Sequence, residues 1–320
     1  MSLREIAKRL LRSPVGTVIE SRIGPVAALR AHRRLLADLP DIPDGLKVAQ
    51  ARWGVASADA DEPIFILAAG WRSGSTLLQR LVTSGGALIW GEPWAHCDLV
   101  RRLADSMRAV EADYPPDHFF LGQREAGADV RAGVDPEWIA NLYPGAERLL
   151  AAHQAFFHEL FRVPALDRGF ARWGVKAVRL GIPHAEYLRW LFPRARFVVI
   201  YRNPYDAYRS YRVHRGWYDR WPDRPILTPA AFGVHWRSLV ESYLTAEAPP
   251  GPIVSLEDLI GSTTTLDRLS RHLGLPLDRS VLERRVGSTR GETIVPATEY
   301  RALRKAVEPV ASDLGYEGPT

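Results

Sequence analysis

The stretch that decides the fold is residues 63–78, PIFILAAGWRSGSTLL, where an apolar strand passes through a glycine-containing turn into an apolar helix. A strand that stops at Gly70 and resumes as a helix near Ser75 leaves free backbone N–H groups that point at one place. Arg72 adds a fixed positive charge inside the turn. The loop is therefore predicted to bind an anion such as phosphate or sulfate. This prediction is strengthened by three hydroxyl donors, those of Ser73, Ser75 and Thr76.

The loop differs from the phosphate-binding loop of nucleoside triphosphatases. That motif has four residues between its glycines and a lysine directly after the second. Here three residues separate Gly70 from Gly74, and Ser75 follows. Chemistry on a triphosphate with Mg²⁺ is therefore disfavoured. Two alternatives nevertheless stay open: this weakened interpretation, as a P-loop kinase that acts on a small molecule with ATP and Mg²⁺, and a turn whose glycines only permit close packing.

Composition narrows the class of protein. With 320 residues, of which 46% are hydrophobic, the chain can bury a large core, and its length suits one large α/β domain or two small ones. The net charge of +5 suits an anionic ligand, but the basic residues are scattered, so we expect no nucleic-acid partner. Only four of the 42 basic residues are lysines, which indicates a GC-rich bacterial source and makes Lys176 stand out.

Cys97 is the only cysteine, so an intramolecular disulfide is excluded and a reducing compartment fits best. No apolar run reaches the length of a membrane span, and residues 1–25 lack the pattern of a signal peptide. We therefore expect a cytoplasmic protein without a transmembrane segment. Residues 2–12 have helical amphipathic spacing, which favours a docking helix over contact with a membrane surface.

Apolar runs of strand length alternate with helical patterns, which indicates a parallel sheet with helices on both faces, as in P-loop-like α/β folds. These runs lie at 64–69, 87–90, 173–178, 196–201 and 252–256. We predict an N-terminal helical extension over 1–45, ending where two prolines and a glycine break any helix, and one domain over 46–320. Two long aromatic segments, 113–145 and 214–229, are predicted to be lid-like insertions, or connections that their aromatics anchor to the core.

A second strand-to-helix junction occurs in residues 196–212, RFVVIYRNPYDAYRSYR. The strand ends at Arg202, Asn203 is a good helix cap, and Pro204 suits a first helical turn. In a triphosphatase the corresponding strand would usually end in a carboxylate for Mg²⁺. Two cationic strand ends therefore predict a ligand with two separated anionic groups, bound without an obligatory metal.

Together, RSGSTLL (72–78) and RNPYDAYRS (202–210) resemble the two signatures of sulfotransferases that use 3′-phosphoadenosine 5′-phosphosulfate (PAPS). The resemblance implies that the first loop, with Arg72, Ser73, Gly74, Ser75 and Thr76, grips the 5′-phosphosulfate of this co-substrate. It also implies that Arg202 and Ser210 hold the 3′-phosphate.

The resemblance extends downstream from these two signatures. IVSLEDL (253–259) is similar to a late strand of that family, and PVASDLGY (309–316) is similar to the tail of tyrosylprotein sulfotransferases and their bacterial relatives. Thr289, Arg290 and Gly291 resemble a further 3′-phosphate segment of the cytosolic members, which makes Arg290 a candidate.

The same resemblance assigns the catalytic residues. Glu92 follows the anion loop as the catalytic glutamate does in tyrosylprotein sulfotransferases, and His96 is the alternative base. The histidine base of the cytosolic branch is replaced by Val178, whereas the strand-end Lys176 is kept. Lys176 and Arg72 are expected to neutralise charge that develops during transfer. No metal site is predicted.

These assignments predict a sulfotransferase that acts on a hydroxyl or phenol of a small molecule, glycan or peptide. The alternatives are the P-loop kinase and a nucleotide-binding module without catalysis. Loss of function on Glu92→Gln or Lys176→Ala would separate the enzyme from that module.

Overall fold

The fold is taken from a computed structural model that describes residues 39–54, 56–94, 98–120, 141–213, 226–283 and 294–319. Within these residues, five strands form one parallel sheet in the order β2-β3-β1-β4-β5. The strands are β1 (Ile64–Ala68), β2 (Ala87–Trp90), β3 (Arg172–Ala177), β4 (Arg196–Tyr201) and β5 (Ile253–Ser255). The predicted parallel α/β sheet is thus confirmed.

Helices connect the strands and flank the sheet. Along the chain they are α1 (Ile42–Trp53), α2 (Ser75–Ser84), α3 (Leu99–Asp105), α4 (Glu147–Phe157), α5 (Val163–Leu166), α6 (Ile182–Leu191), α7 (Pro204–Val213), α8 (Pro229–Leu244), α9 (Leu256–Gly261), α10 (Thr263–Leu273), α11 (Ser280–Glu283), α12 (Ala297–Val307) and α13 (Val310–Asp313). A π-helical turn, His158–Arg162, joins α4 to α5. None of the described helices is long and apolar enough to cross a lipid bilayer.

The core explains why the strands are continuous apolar runs. Every residue of β1 is buried, with at most 1% of its surface exposed, because the strand is central and helices cover both faces of the sheet. Phe65 packs against Trp173 of β3 and Phe197 of β4. The central strand therefore cannot move without disturbing both neighbours, and the loop that follows it starts from a rigid base.

Helix α1 corrects one expectation. Residues 36–46 were expected to break any helix, yet α1 begins at Ile42 and includes Pro43 and Gly45. Pro43 lies in the first turn, where its missing N–H has no intrahelical partner to lose. Gly45 packs against the Met107 carbonyl, where a Cβ atom would approach the oxygen to 1.9 Å. The boundary between residues 45 and 46 stays a prediction, because residues 1–38 lie outside the described part.

The described ends of the segment 113–145 are anchored. Phe120 and Tyr143 form a parallel β-bridge, and Phe120 also packs edge-on against Trp53 at a ring separation of 5.1 Å. These aromatics therefore anchor the connection to α1. Residues 121–140 and 214–225, which carry Trp138, Trp217 and most of both lid-like insertions, lie outside the described residues, and the lids stay predictions.

Candidate active site

The loop after β1 has the backbone of an anion site. Gly70, Arg72 and Gly74 have positive φ values of 83°, 64° and 88°, whereas the residues between them do not. Such alternation turns successive N–H groups toward one point. Among the described residues, no acceptor pairs with the backbone N–H groups of residues 72–76. Glycine is favoured at position 74 by its φ of 88°, and a Cβ atom there would lie 2.4 Å from Leu256 Cδ1, so that the leucine side chain would have to move.

Trp71 fixes this loop from behind. Trp71 is 2% exposed, and its ring stacks on that of Tyr211 of α7 with 5.9 Å between the ring centroids. The ring centroid of His235 on α8 lies 5.4 Å from that of Trp71. The guanidinium of Arg179 lies 5.5 Å from the Trp71 ring centroid. The left-handed Arg72 is strained for a residue with a Cβ atom, and the buried indole beside it holds that conformation.

Arg72 joins the two predicted anion sites. Its Nε donates a 2.8 Å hydrogen bond to Ser210 Oγ on α7, and Arg202 Nη1 donates to the Arg72 carbonyl at 3.3 Å. The residues are 130 or more positions apart in the chain. They meet because β4 pairs directly with β1, so that the loops after these strands leave the same edge of the sheet.

Arg202 is held in place before any ligand binds. Its backbone carbonyl accepts a 3.0 Å hydrogen bond from Trp236 Nε1. Burial lowers the pKa of its guanidinium, an effect that the Asp206 and Glu257 carboxylates oppose. In the described part of the chain, Arg202 Nε and Ser73 Oγ are among the buried polar atoms that have no hydrogen-bond partner. Unpaired buried donors are costly, so both are suited to an anionic oxygen.

The strand end beside Arg202 is closed by the late strand and the tail. Asn203 Oδ1 caps α7 by accepting from the N–H of Tyr205 at 2.9 Å. Glu257, which follows β5, accepts from the Asn203 N–H at 3.3 Å and from the Tyr316 hydroxyl at 3.1 Å. Burial and the neighbouring Glu257 raise the pKa of Tyr316. Both segments that resembled sulfotransferases downstream thus support the Arg202 junction.

Glu92 and Lys176 meet at the other side of the loop. Trp90, the last residue of β2, pairs with Val175, so the segment that follows β2 lies beside the last residues of β3. Lys176 Nζ donates to Glu92 Oε1 at 2.7 Å, and the two side chains are 7% and 23% exposed. A pocket beside this pair is lined by Glu92, Pro93, Asp98, Val100, Ala177, Val178 and Arg179.

The other predicted site residues divide into two groups. Ser73 and Ser75 are buried in the loop and Thr76 is exposed at the start of α2, all close to Arg72 in sequence. His96 and Arg290 lie outside the described residues, so their assignments stay predictions. Within the described residues, no three His, Cys, Asp or Glu side chains gather as a metal site would need.

The sequence prediction missed Arg179 and Asp98. Arg179 is 2% exposed and its Nη2 lies 3.7 Å from Asp98 Oδ2, beside the Glu92 pocket. A charged residue directly after an apolar strand was the available signal, but its partner is 81 residues earlier in the chain. Only the strand order places the two together.

An α/β fold with basic strand ends around one buried loop is suited to binding anionic groups. Residues 63–279 match the model of the sulfotransferase family, and the chain belongs to that family. A sulfotransferase domain from the olefin synthase of Synechococcus PCC 7002 is a structural match with 18% sequence identity and a TM-score of 0.44. The match covers 84% of this chain and 100% of that domain. No match was found among the curated proteins.

Proposed function

We propose that this sulfotransferase takes its sulfuryl group from PAPS and transfers it to a hydroxyl or phenol oxygen of a small molecule, glycan or peptide, with Glu92 as the base. The observation that carries the proposal is the contact between the two cationic junctions, in which Arg72 Nε lies 2.8 Å from Ser210 Oγ. A nucleotide with an anionic group at each end matches two adjoining sites of this kind.

The donors at these sites fit such a ligand. The N–H groups of residues 72–76 and the Ser73 hydroxyl lie in the loop without partners among the described residues, and Arg202 Nε is likewise buried without a partner there. A phosphate or phosphosulfate group supplies only acceptor oxygens, which complement donors alone. We assign the loop to the 5′-phosphosulfate and Arg202 with Ser210 to the 3′-phosphate.

When bound, PAPS supplies a sulfuryl group whose bond to the 5′-phosphate oxygen breaks, leaving 3′-phosphoadenosine 5′-phosphate (PAP). Arg72 and the loop N–H groups stabilise the negative charge that grows on that oxygen. Lys176 holds Glu92 through Oε1, and in the described part of the chain Glu92 Oε2 has no hydrogen-bond partner. That oxygen receives the proton of the acceptor hydroxyl.

Binding of PAP, followed by titration calorimetry, tests the nucleotide assignment. We expect binding that EDTA leaves unchanged, and weaker binding of ATP whether or not Mg²⁺ is present. No binding of PAP would overturn the proposal. Tight binding of ATP only with Mg²⁺ would favour the kinase.

Turnover of [35S]PAPS tests the base. The acceptors are 2-naphthol, 1-octanol, N-acetylglucosamine and a tyrosine-containing peptide. We expect Glu92→Gln to lower kcat by about 100-fold or more, the effect typical of a lost general base, with PAP affinity kept. Glu247→Gln, at an exposed glutamate, is the matched control. If His96→Ala abolishes turnover and Glu92→Gln does not, the base assignment is wrong.

A further inference from the structure

Arg179 is a buried cation to which the proposed reaction gives no role. It lies just beyond the end of β3 and is 2% exposed. A buried guanidinium is costly unless partners compensate the loss of water. Among the described residues, its partners include the Trp71 ring at 5.5 Å and Asp98 Oδ2 at 3.7 Å.

Each partner belongs to a different half of the site. Trp71 directly precedes Arg72 in the anion loop, whereas Asp98 ends the connection that begins with Glu92 after β2. Glu92, Asp98 and Arg179 line the same pocket. Arg179 therefore bridges the side of the site assigned to the donor and the side that carries the base.

Described residues on both sides of positions 95–97 have strained backbone conformations. Trp94 and Asp98 have φ values of 46° and 53°, in the left-handed region that non-glycine residues rarely adopt. Such a residue is strained and persists only where its surroundings hold it. Asp98 is 8% exposed, and its Oδ2 also accepts a 2.9 Å hydrogen bond from Arg101 Nε. Two guanidinium groups thus fix one end of the connection.

We propose that Arg179, acting through Asp98, is a positioning residue that fixes Glu92 in relation to the anion loop. The inference rests on the proposed function, because it concerns the placement of the proposed base. Arg179 binds neither the 5′ nor the 3′ end of the nucleotide in this assignment. Loss of its planar contact therefore changes the rate of transfer and leaves nucleotide binding in place.

Arg179→Lys and Asp98→Asn test this role. Arg179→Lys keeps the charge but loses the planar group that stacks on Trp71 and reaches Asp98. We expect either variant to lower kcat by about 10- to 100-fold, the effect of a small displacement of a catalytic group, with the Kd for PAP within about twofold of wild type. Arg172→Lys, at the other end of β3, is the matched control, expected to lose stability but to keep kcat.

A double-mutant cycle with Glu92→Gln separates positioning from a structural role. The readout is kcat with [35S]PAPS and the best acceptor of the four named above. If Arg179 acts by placing Glu92, Arg179→Lys has almost no further effect once Glu92 is glutamine. An equal loss in both backgrounds, or a parallel loss of PAP affinity and of melting temperature, would overturn the inference.

If Arg179→Lys fails to fold, Asp98→Asn takes its place in the double-mutant cycle with Glu92→Gln.

Failure of the proposed function can be distinguished from failure of this inference alone. A wild-type chain that neither binds PAP nor turns over PAPS overturns the proposed function and this inference with it. A wild-type chain that turns over normally while Arg179→Lys and Asp98→Asn keep full kcat overturns this inference alone.

Discussion

Arg202→Ala is expected to remove the discrimination between nucleotides with and without a 3′-phosphate. In the wild-type chain Arg202 Nε is buried and has no partner among the described residues, while Nη1 bonds the Arg72 carbonyl at 3.3 Å. A guanidinium bound to phosphate makes charge-assisted hydrogen bonds worth about 1.5–3 kcal/mol each. Loss of about 3 kcal/mol corresponds to about a 100-fold weaker affinity for PAP.

Calorimetric titration with PAP and with AMP, which lacks the 3′-phosphate, measures this effect directly. We expect Arg202→Ala to weaken PAP by about 100-fold and AMP by less than about threefold, since the loop after β1 still binds the 5′-phosphate. The backbone should survive the change, because Trp236 bonds the carbonyl of residue 202 and not its side chain.

Arg209→Ala is the matched control for this prediction. Arg209 lies on α7, the helix that begins two residues after Arg202. It is half exposed and pairs with Asp206 at 2.6 Å, so its removal should change PAP affinity by about twofold at most. Equal weakening of PAP and AMP by Arg202→Ala would refute the assignment of Arg202 to the 3′-phosphate. It would mean that the residue supports the loop after β1 instead.

Three further changes test the loop, the base and the core. Gly74→Ala should lower the melting temperature and the affinity for PAP, because it adds left-handed strain of about 1–2 kcal/mol and a Cβ atom 2.4 Å from Leu256 Cδ1. Gly261→Ala is the control and should be neutral, because the space around Gly261 is open. Lys176→Met should lower kcat by about 100-fold with PAP affinity kept, and an unchanged kcat would contradict its role in transfer. Burial lowers the pKa of His153, so at acid pH the unfolded chain binds a proton there that the folded chain does not bind. The free energy of unfolding should therefore decrease as the pH drops below about 6.5, by at most about 1.4 kcal/mol per pH unit. Urea denaturation at pH 7.5 and 5.5 should show that His153→Gln loses less free energy of unfolding between the two pH values than the wild-type chain does. An equal loss in the two proteins would contradict this role of His153.

The strands could be predicted from the sequence because a parallel strand covered on both faces is a nearly continuous apolar run. The predicted run at 87–90 coincides with β2, and that at 196–201 coincides with β4. Helix α1 was missed for a physical reason that no local pattern shows. Its proline lies in the first turn and its glycine makes room for the Met107 carbonyl, a contact between residues 62 positions apart.

The candidate site was predictable where one segment carries both its geometry and its chemistry. The loop after β1 and the Arg202 junction are of this kind, since backbone turns and strand-end charges are local. Arg179 and Asp98 were missed because neither belongs to a motif and their contact depends on the order of strands in the sheet. The role of Trp71 was missed for the same reason, because its partners lie on α7, on α8 and after β3.

Strand order also determines how the proposed roles are arranged. Because β1 lies between β3 and β4, Arg72 stands between Lys176 and Arg202 at the carboxyl edge of the sheet. Outside β3, strand β2 brings Glu92 to Lys176. In the proposed function the nucleotide therefore extends along this edge, with its 3′-phosphate toward β4 and its reactive sulfur toward β2. The acceptor must then approach from the β2 side, where Glu92, Asp98 and Arg179 line the pocket.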